Sequence, residues 1–149
     1  SLSHYTVADT LVPRSTPQRD HLDMKPRGLW VSVDGPDDWP WWCREEQFCD
    51  IDAQNRFRVT LAKSSGTLIL SSVADLLAFE ESYGDDHGLI RWADVARKWP
   101  GIIIAPYQWT CRLTAGLWYY GWDCASGCIW DASAIASVEL VAAESAVQR

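Results

Sequence analysis

The stretch KPRGLWVSVDGPDDWPWWC, residues 25–43, decides the fold that the sequence predicts. A strand is expected over Leu29–Val33, because β-branched and aromatic residues favour extended backbone. The acidic pair that follows is typical of a helix N-cap, and Pro40 fits the first helical turn, where a missing N–H costs nothing. The pattern therefore predicts a strand, an acidic loop and a helix that runs to about Cys49.

Aromatic side chains are concentrated in the same stretch. Trp30 lies on the predicted strand, and three more stand at the start of the helix: Trp39, Trp41 and Trp42. Rings on a strand and on the next helix can form two walls of a slot, which suits a flat ligand ring because aromatic faces stack in offset geometry. The alternative is that these tryptophans only pack in the core or in an interface.

Length and charge bound the class of protein. The chain has 149 residues, which fits one domain over 1–149. Its formal charge of −7 argues against general electrostatic binding of nucleic acid, which needs clustered lysine and arginine. The densest basic run, Arg14–Arg27, leaves room for a small local basic site. The charge favours a small-molecule ligand or a basic protein partner.

Hydropathy predicts no membrane partner. No apolar run approaches the ~20 residues needed to span a bilayer. The segment Leu2–Val12 is too polar for the apolar region of a signal peptide. We therefore expect a cytoplasmic location.

The five cysteines predict neither a disulfide framework nor a metal site. Their number is odd, so buried free thiols are expected. Cys124 and Cys128 fit zinc-ligand spacing loosely, but no second pair partners them.

The remaining patterns predict an α+β domain with small antiparallel sheets. Further strands are expected at Ser3–Ala8, Arg56–Leu61, Thr67–Leu70, Ile102–Ala105, Leu117–Trp122 and Gly127–Trp130, with a last strand or a frayed tail at Val138–Ala142. A capping box at Ser72 starts one helix, and Arg91–Trp99 forms another, whose tryptophans Trp92 and Trp99 should lie in the core.

Two short motifs lie on the first two predicted strands. One is His4-Tyr5-Thr6, and the other is Gly28-Leu29-Trp30 with Ser32. Together they resemble the ADP-ribosyltransferase superfamily, in the branch of the poly-ADP-ribose polymerases. There a His-Gly-Ser/Thr strand precedes a Gly-Leu/Ile-Tyr-Phe-Ala/Ser strand, and a later tyrosine covers the nicotinamide. Trp42 falls close to that second tyrosine.

The resemblance implies both a fold and a ligand. The fold is α+β, with split antiparallel β-sheets flanked by two to three helices. The ligand is NAD, with His4 and Thr6 holding its ribose and carboxamide. The full set of NAD-binding residues that it implies is His4, Tyr5, Thr6, Gly28, Leu29, Trp30, Ser32 and Trp42.

The end of the chain extends the likeness. Residues 129–135 resemble the tail that follows the late Glu-Tyr-x-Val-Tyr-Asp strand of the family. Ser126 then takes the place of the catalytic glutamate, whose charge stabilises the ribose cation in the transition state. Serine carries no charge, so a second catalytic candidate is Asp123, which reaches the same pocket if the register or the loop differs.

The activity that the resemblance implies is transfer of ADP-ribose from NAD to a protein or nucleic-acid target, as in toxins or phage effectors. Arginine is disfavoured as the acceptor, because the late strand lacks an acidic pair two residues apart. Two alternatives stay open. One is an inactive binding module on the same fold, and the other is an interaction or inhibitor protein unrelated to NAD, with tryptophans as hot spots.

Overall fold

The computed structural model describes residues 1–142. Within them the seven strands are β1 (Leu2–Thr6), β2 (Leu29–Val33), β3 (Asn55–Leu61), β4 (Leu68–Leu70), β5 (Gly101–Ile104), β6 (Ser126–Ile129) and β7 (Ile135–Val141). The four α-helices are α1 (Trp39–Glu45), α2 (Val73–Tyr83), α3 (Trp92–Ala96) and α4 (Leu117–Tyr120). The α+β class is confirmed.

The strands form one sheet in the order β4-β5-β6-β2-β1-β3-β7. This differs from the expected set of small antiparallel sheets. Neighbouring strands are antiparallel except β4 and β5, which run parallel. Parallel neighbours need a crossover connection, and here α2 and α3 lie between the two strands in the chain.

The strand pairing is shortest in the middle of the sheet, between β1 and β2. Strand β1 pairs with β2 only at Leu2↔Val33 and Ser3↔Ser32, whereas it pairs with β3 along its whole length. The sheet therefore divides into a four-stranded half (β4-β5-β6-β2) and a three-stranded half (β1-β3-β7). We call the opening where β1 and β2 no longer pair the split.

The main core packs around the helices that lie between β4 and β6 in the chain. Trp92, Trp118 and Leu76 are fully buried in it. Helix α2 begins as expected, with the Ser72 hydroxyl accepting a hydrogen bond from the Asp75 N–H at 3.1 Å. The predicted core position of Trp92 is confirmed, and Trp99 packs against the same cluster.

The predicted strand at Leu117–Trp122 is wrong, because residues 117–120 form α4. Aromatic residues favour strands only when a sheet offers them a place, so tertiary packing decides. Gly116 and Gly121 bound the helix, and Trp118 and Trp122 lie four residues apart, with both rings buried in the core.

Helix α1 begins as predicted but ends early. The Asp38 carboxylate accepts a hydrogen bond from the Trp41 N–H at 3.0 Å, and Pro40 lies in the first turn. The helix ends at Glu45 because Gln47 adopts a left-handed conformation with φ of 50°. In residues 1–142 no helix is long and apolar enough to cross a bilayer.

Candidate functional site

A cavity of about 260 Å³ opens at the split. Strands β1, β2 and β6, the start of α1 and the segment before β6 all contribute to its wall. Six of the residues proposed from the sequence line it: His4, Tyr5, Trp30, Ser32, Asp123 and Ser126. The chain thus brings residues from its first 32 positions together with residues from 123–126.

His4 lies where the two halves of the sheet part. Its Nδ1 is 2.6 Å from the main-chain oxygen of Trp30. A carbonyl oxygen only accepts, so Nδ1 carries the proton of this hydrogen bond. In the neutral ring, Nε2 then remains as a hydrogen-bond acceptor, which could take a ligand hydroxyl.

Trp30 supplies an aromatic wall that the chain itself partly covers. The ammonium group of Lys25 lies over its ring at 5.4 Å from the centroid, a cation–π arrangement. Trp122 meets the same indole edge-on, with ring centroids 4.9 Å apart and planes at 67°. One side of Trp30 thus packs against the core, and the side chain of Lys25 covers a face of its ring.

The tryptophan of α1 that lines the cavity is Trp39, and Trp42 is not among the lining residues. The main-chain N–H of Trp39 donates to the Ser32 hydroxyl at 2.8 Å, which connects the first residue of the helix to β2. The ring of Trp42 instead lies under the guanidinium group of Arg112, whose central carbon is 5.5 Å from the centroid of the indole. The expected second wall is therefore offset by three positions along the helix.

A row of three serines crosses the sheet at the cavity. Ser3, Ser32 and Ser126 are direct register partners on β1, β2 and β6, so their side chains share one face. All three are buried. The Ser126 hydroxyl donates to the Cys124 carbonyl at 3.0 Å, so it is engaged within the chain.

Asp123 brings a negative charge to the same wall. Its Oδ1 lies 3.5 Å from Nη1 of Arg112, and about a quarter of each side chain is exposed. The same Nη1 donates to the Tyr107 hydroxyl at 3.0 Å. The pairing is long and partly solvated, so it is weak and leaves the carboxylate available to a ligand.

Four of the proposed residues lie outside the cavity lining: Thr6, Gly28, Leu29 and Trp42. The Thr6 hydroxyl accepts a hydrogen bond from the Ala8 N–H at 3.2 Å and closes the turn after β1. Gly28 has φ of 152°, and a Cβ there would stand 2.5 Å from the Ile129 oxygen. Gly28 thus permits the close approach of β2 to β6, and Leu29 pairs with Ile129 in the same ladder.

Seven lining residues are not among the site residues proposed from the sequence: Ser3, Lys25, Val31, Trp39, Gly121, Trp122 and Cys124. Lys25 and Trp39 both belong to the stretch 25–43, but its residue pattern does not distinguish Trp39 from Trp41 and Trp42. Trp122 was assigned to a strand that does not exist. Burial raises the pKa of the Cys124 thiol to about 12, so this cysteine is a neutral part of the wall.

Among the described residues, no three His, Cys, Asp or Glu side chains lie close enough together to hold a metal ion. Comparisons with protein-family models, with curated proteins and with solved structures find no match for this chain.

Proposed function

We propose that the split binds the nicotinamide end of NAD and that the chain transfers ADP-ribose from NAD to a macromolecular target. The observation that carries this proposal is the convergence of His4, Trp30 and Asp123 on one cavity. These residues offer a hydrogen-bonding imidazole, a π face and a carboxylate. Those are the groups needed to hold a ribose, to stack a nicotinamide ring and to stabilise a developing cation.

The division of the sheet supports the same assignment. A sheet that opens between its first two strands, with the histidine of one facing the aromatic strand of the other, fits the split architecture of the ADP-ribosyltransferase superfamily. The membership of the chain in that fold is part of the proposal.

The size of the cavity limits what it can enclose. Its volume of about 260 Å³ is below the roughly 300–1,000 Å³ of sites that enclose a drug-sized ligand. It suits the nicotinamide ring and its ribose, with the adenosine half lying outside. Lys25 then has a second role, because its ammonium group can leave the Trp30 face to a cationic nicotinamide and pair with a phosphate.

The chemistry expected of the chain is electrostatic. NAD supplies a glycosidic bond whose cleavage returns an electron pair to nicotinamide and leaves positive charge on the ribose. The Asp123 carboxylate stabilises that charge, and His4 fixes the ribose through Nε2. A nucleophile of the target then bonds to the ribose carbon and releases its proton to solvent.

A second candidate, an inactive NAD-binding module, is favoured by one observation. Ser126 takes the position of the family's glutamate, and its hydroxyl is bonded to the Cys124 carbonyl. If the Asp123 carboxylate stays with Arg112, the cavity holds the ligand without cleaving it.

Melting curves with and without ligand, combined with chromatography of released nicotinamide, test the proposal. A ligand that binds only the folded chain raises its melting temperature. We expect NAD and nicotinamide to raise it and NAD to be cleaved slowly. A shift without cleavage identifies the inactive module. No shift at millimolar NAD together with no cleavage overturns the proposal and favours an interaction protein unrelated to NAD.

A further inference from the structure

We propose that Cys43 and Cys49 form a reversible dithiol–disulfide site, which a peroxide oxidises at the end of α1. The two sulfur atoms lie 3.0 Å apart. Both residues are free thiols. The sulfurs need to move together by only about 1 Å to reach the 2.05 Å of a disulfide bond. This site is separate from the proposed NAD chemistry.

The backbone explains why the two thiols meet. At the end of α1 the Phe48 N–H donates to the Cys43 carbonyl at 3.0 Å, and the Gln47 N–H donates to the Arg44 carbonyl at 3.4 Å. With Gln47 in a left-handed conformation, this is the Schellman pattern of helix termination. It folds the chain back over the last turn, so the contact between Cys43 and Cys49 follows from the way the helix ends.

The two thiols differ in access. Cys43 is fully buried, whereas Cys49 is only half buried and accepts a hydrogen bond from the Gln54 side-chain amide at 3.8 Å. Burial, together with the neighbouring Cys49 thiol, raises the pKa of Cys43 to about 12. Cys49 is therefore the sulfur that an oxidant reaches first, and Cys43 is the resolving thiol.

The reaction balances with hydrogen peroxide as oxidant. The Cys49 thiolate attacks one peroxide oxygen, the O–O bond breaks, and hydroxide leaves with a sulfenic acid on Cys49. The Cys43 sulfur then attacks that sulfur, an S–S bond forms and the S–O bond breaks. The departing hydroxyl takes the Cys43 proton and leaves as water. Dithiothreitol reverses the product by thiol–disulfide exchange.

The other three cysteines differ from the Cys43–Cys49 pair. Cys111, Cys124 and Cys128 are all buried, and among the described residues the only hydrogen bond between two sulfur atoms is the one between Cys43 and Cys49. The site also borders the cavity wall, since Phe48 meets Trp39 edge-on at 5.6 Å.

The test uses the full chain, reduced, desalted and treated with equimolar hydrogen peroxide. Thiols titrated after denaturation should fall from five to three, and a peptide map should show a Cys43–Cys49 link that dithiothreitol removes. The closed seven-residue loop should raise the melting temperature of the oxidised chain by roughly 5–10 °C.

Three variants make the result decisive. Cys49→Ser should lose the peroxide-dependent disulfide entirely, and the control Cys111→Ser should keep it. Cys43→Ser should leave a sulfenic acid on Cys49 that dimedone traps. Five unchanged thiols, a link to another cysteine, or a disulfide that persists in Cys49→Ser would each overturn the proposal. If Cys43→Ser does not fold, the result for Cys49→Ser alone decides the test.

Discussion

The Nδ1 atom of His4 lies 2.6 Å from the main-chain oxygen of Trp30, so one hydrogen bond joins the two halves of the sheet where their strands stop pairing. The bond takes the place of a main-chain ladder contact and leaves room for a cavity beside it. The imidazole therefore closes the end of the ladder through Nδ1, and in the neutral ring Nε2 remains as a hydrogen-bond acceptor.

Removing either partner of this arrangement should weaken ligand binding. We expect His4→Ala and Trp30→Ala to weaken NAD binding about fivefold or more, because each loses a ligand contact worth about 1 kcal/mol or more. Isothermal titration calorimetry measures the change, with circular dichroism to verify folding. His87→Ala and Trp109→Ala are matched controls, since neither residue lines the cavity. Unchanged NAD affinity in both folded variants would remove the assignment.

Asp123 should matter for turnover and not for binding. Removal of one preorganised electrostatic group at a developing charge typically costs about 100- to 1,000-fold in rate. We therefore expect Asp123→Asn to bind NAD within about threefold of the wild type while nicotinamide release falls by at least about 100-fold. Asp131→Asn is the control, because Asp131 caps a short turn away from the cavity. Persistent turnover in Asp123→Asn would place the acid elsewhere.

Substitution of Trp39 should weaken NAD binding more than substitution of Trp42. Trp39 lines the cavity, whereas Trp42 packs under Arg112. Trp39→Ala should weaken NAD binding about threefold to tenfold, through the loss of an aromatic contact of about 0.5–1.5 kcal/mol. Trp42→Ala should leave the dissociation constant within about twofold of the wild type. A larger loss of NAD affinity in Trp42→Ala than in Trp39→Ala would identify Trp42 as the stacking residue and contradict the assignment of Trp39 to the cavity wall.

Part of this architecture could be predicted because local chemistry decides it. Asp38 and Pro40 determine where α1 begins, and Ser72 does the same for α2. The first two strands follow from β-forming residues bounded by turns, whereas a shared site for His4 and Trp30 is implied only by the resemblance to the ADP-ribosyltransferase superfamily. Both lie in the lining of one cavity.

The rest depends on tertiary contacts that no short pattern contains. Trp39, Trp41 and Trp42 are the same residue type, and the long-range hydrogen bonds that position the start of α1, from the Trp39 main-chain N–H to the Ser32 hydroxyl and from the Tyr107 N–H to the Asp37 carboxylate, are not visible in the pattern. The segment at 117–122 has strand-forming side chains, but residues 117–120 form a helix, with Trp118 and Trp122 buried in the core. The early end of α1 depends on a left-handed glutamine, a residue type that seldom adopts that conformation.

Acid stability should depend on Asp85. His21 donates to its carboxylate at 2.9 Å, and the Leu89 and His87 N–H groups also donate to it. The hydrogen bond from His21, followed by those from the main chain, lowers the pKa of Asp85 to about 2. A carboxyl whose folded pKa is depressed stabilises the fold above its unfolded pKa of about 4, and this contribution is lost as the pH falls from about 4 to 2.

Urea unfolding between pH 7 and pH 2 checks this assignment. Asp85→Asn should unfold at lower urea than the wild type at pH 7, and the difference should shrink as the pH falls toward 2. Asp86→Asn is the control, because the neighbouring carboxylate makes none of these three hydrogen bonds. A difference between Asp85→Asn and the wild type that does not vary with pH would contradict the assignment.

A crystal structure of the chain soaked with NAD tests the central claim most directly. We expect the nicotinamide ring at the split against Trp30, with its ribose beside His4 and the Asp123 carboxylate, and the Lys25 ammonium group turned from the indole toward a phosphate. Nicotinamide bound elsewhere on the chain, or no NAD in crystals soaked at millimolar concentration, would contradict the account.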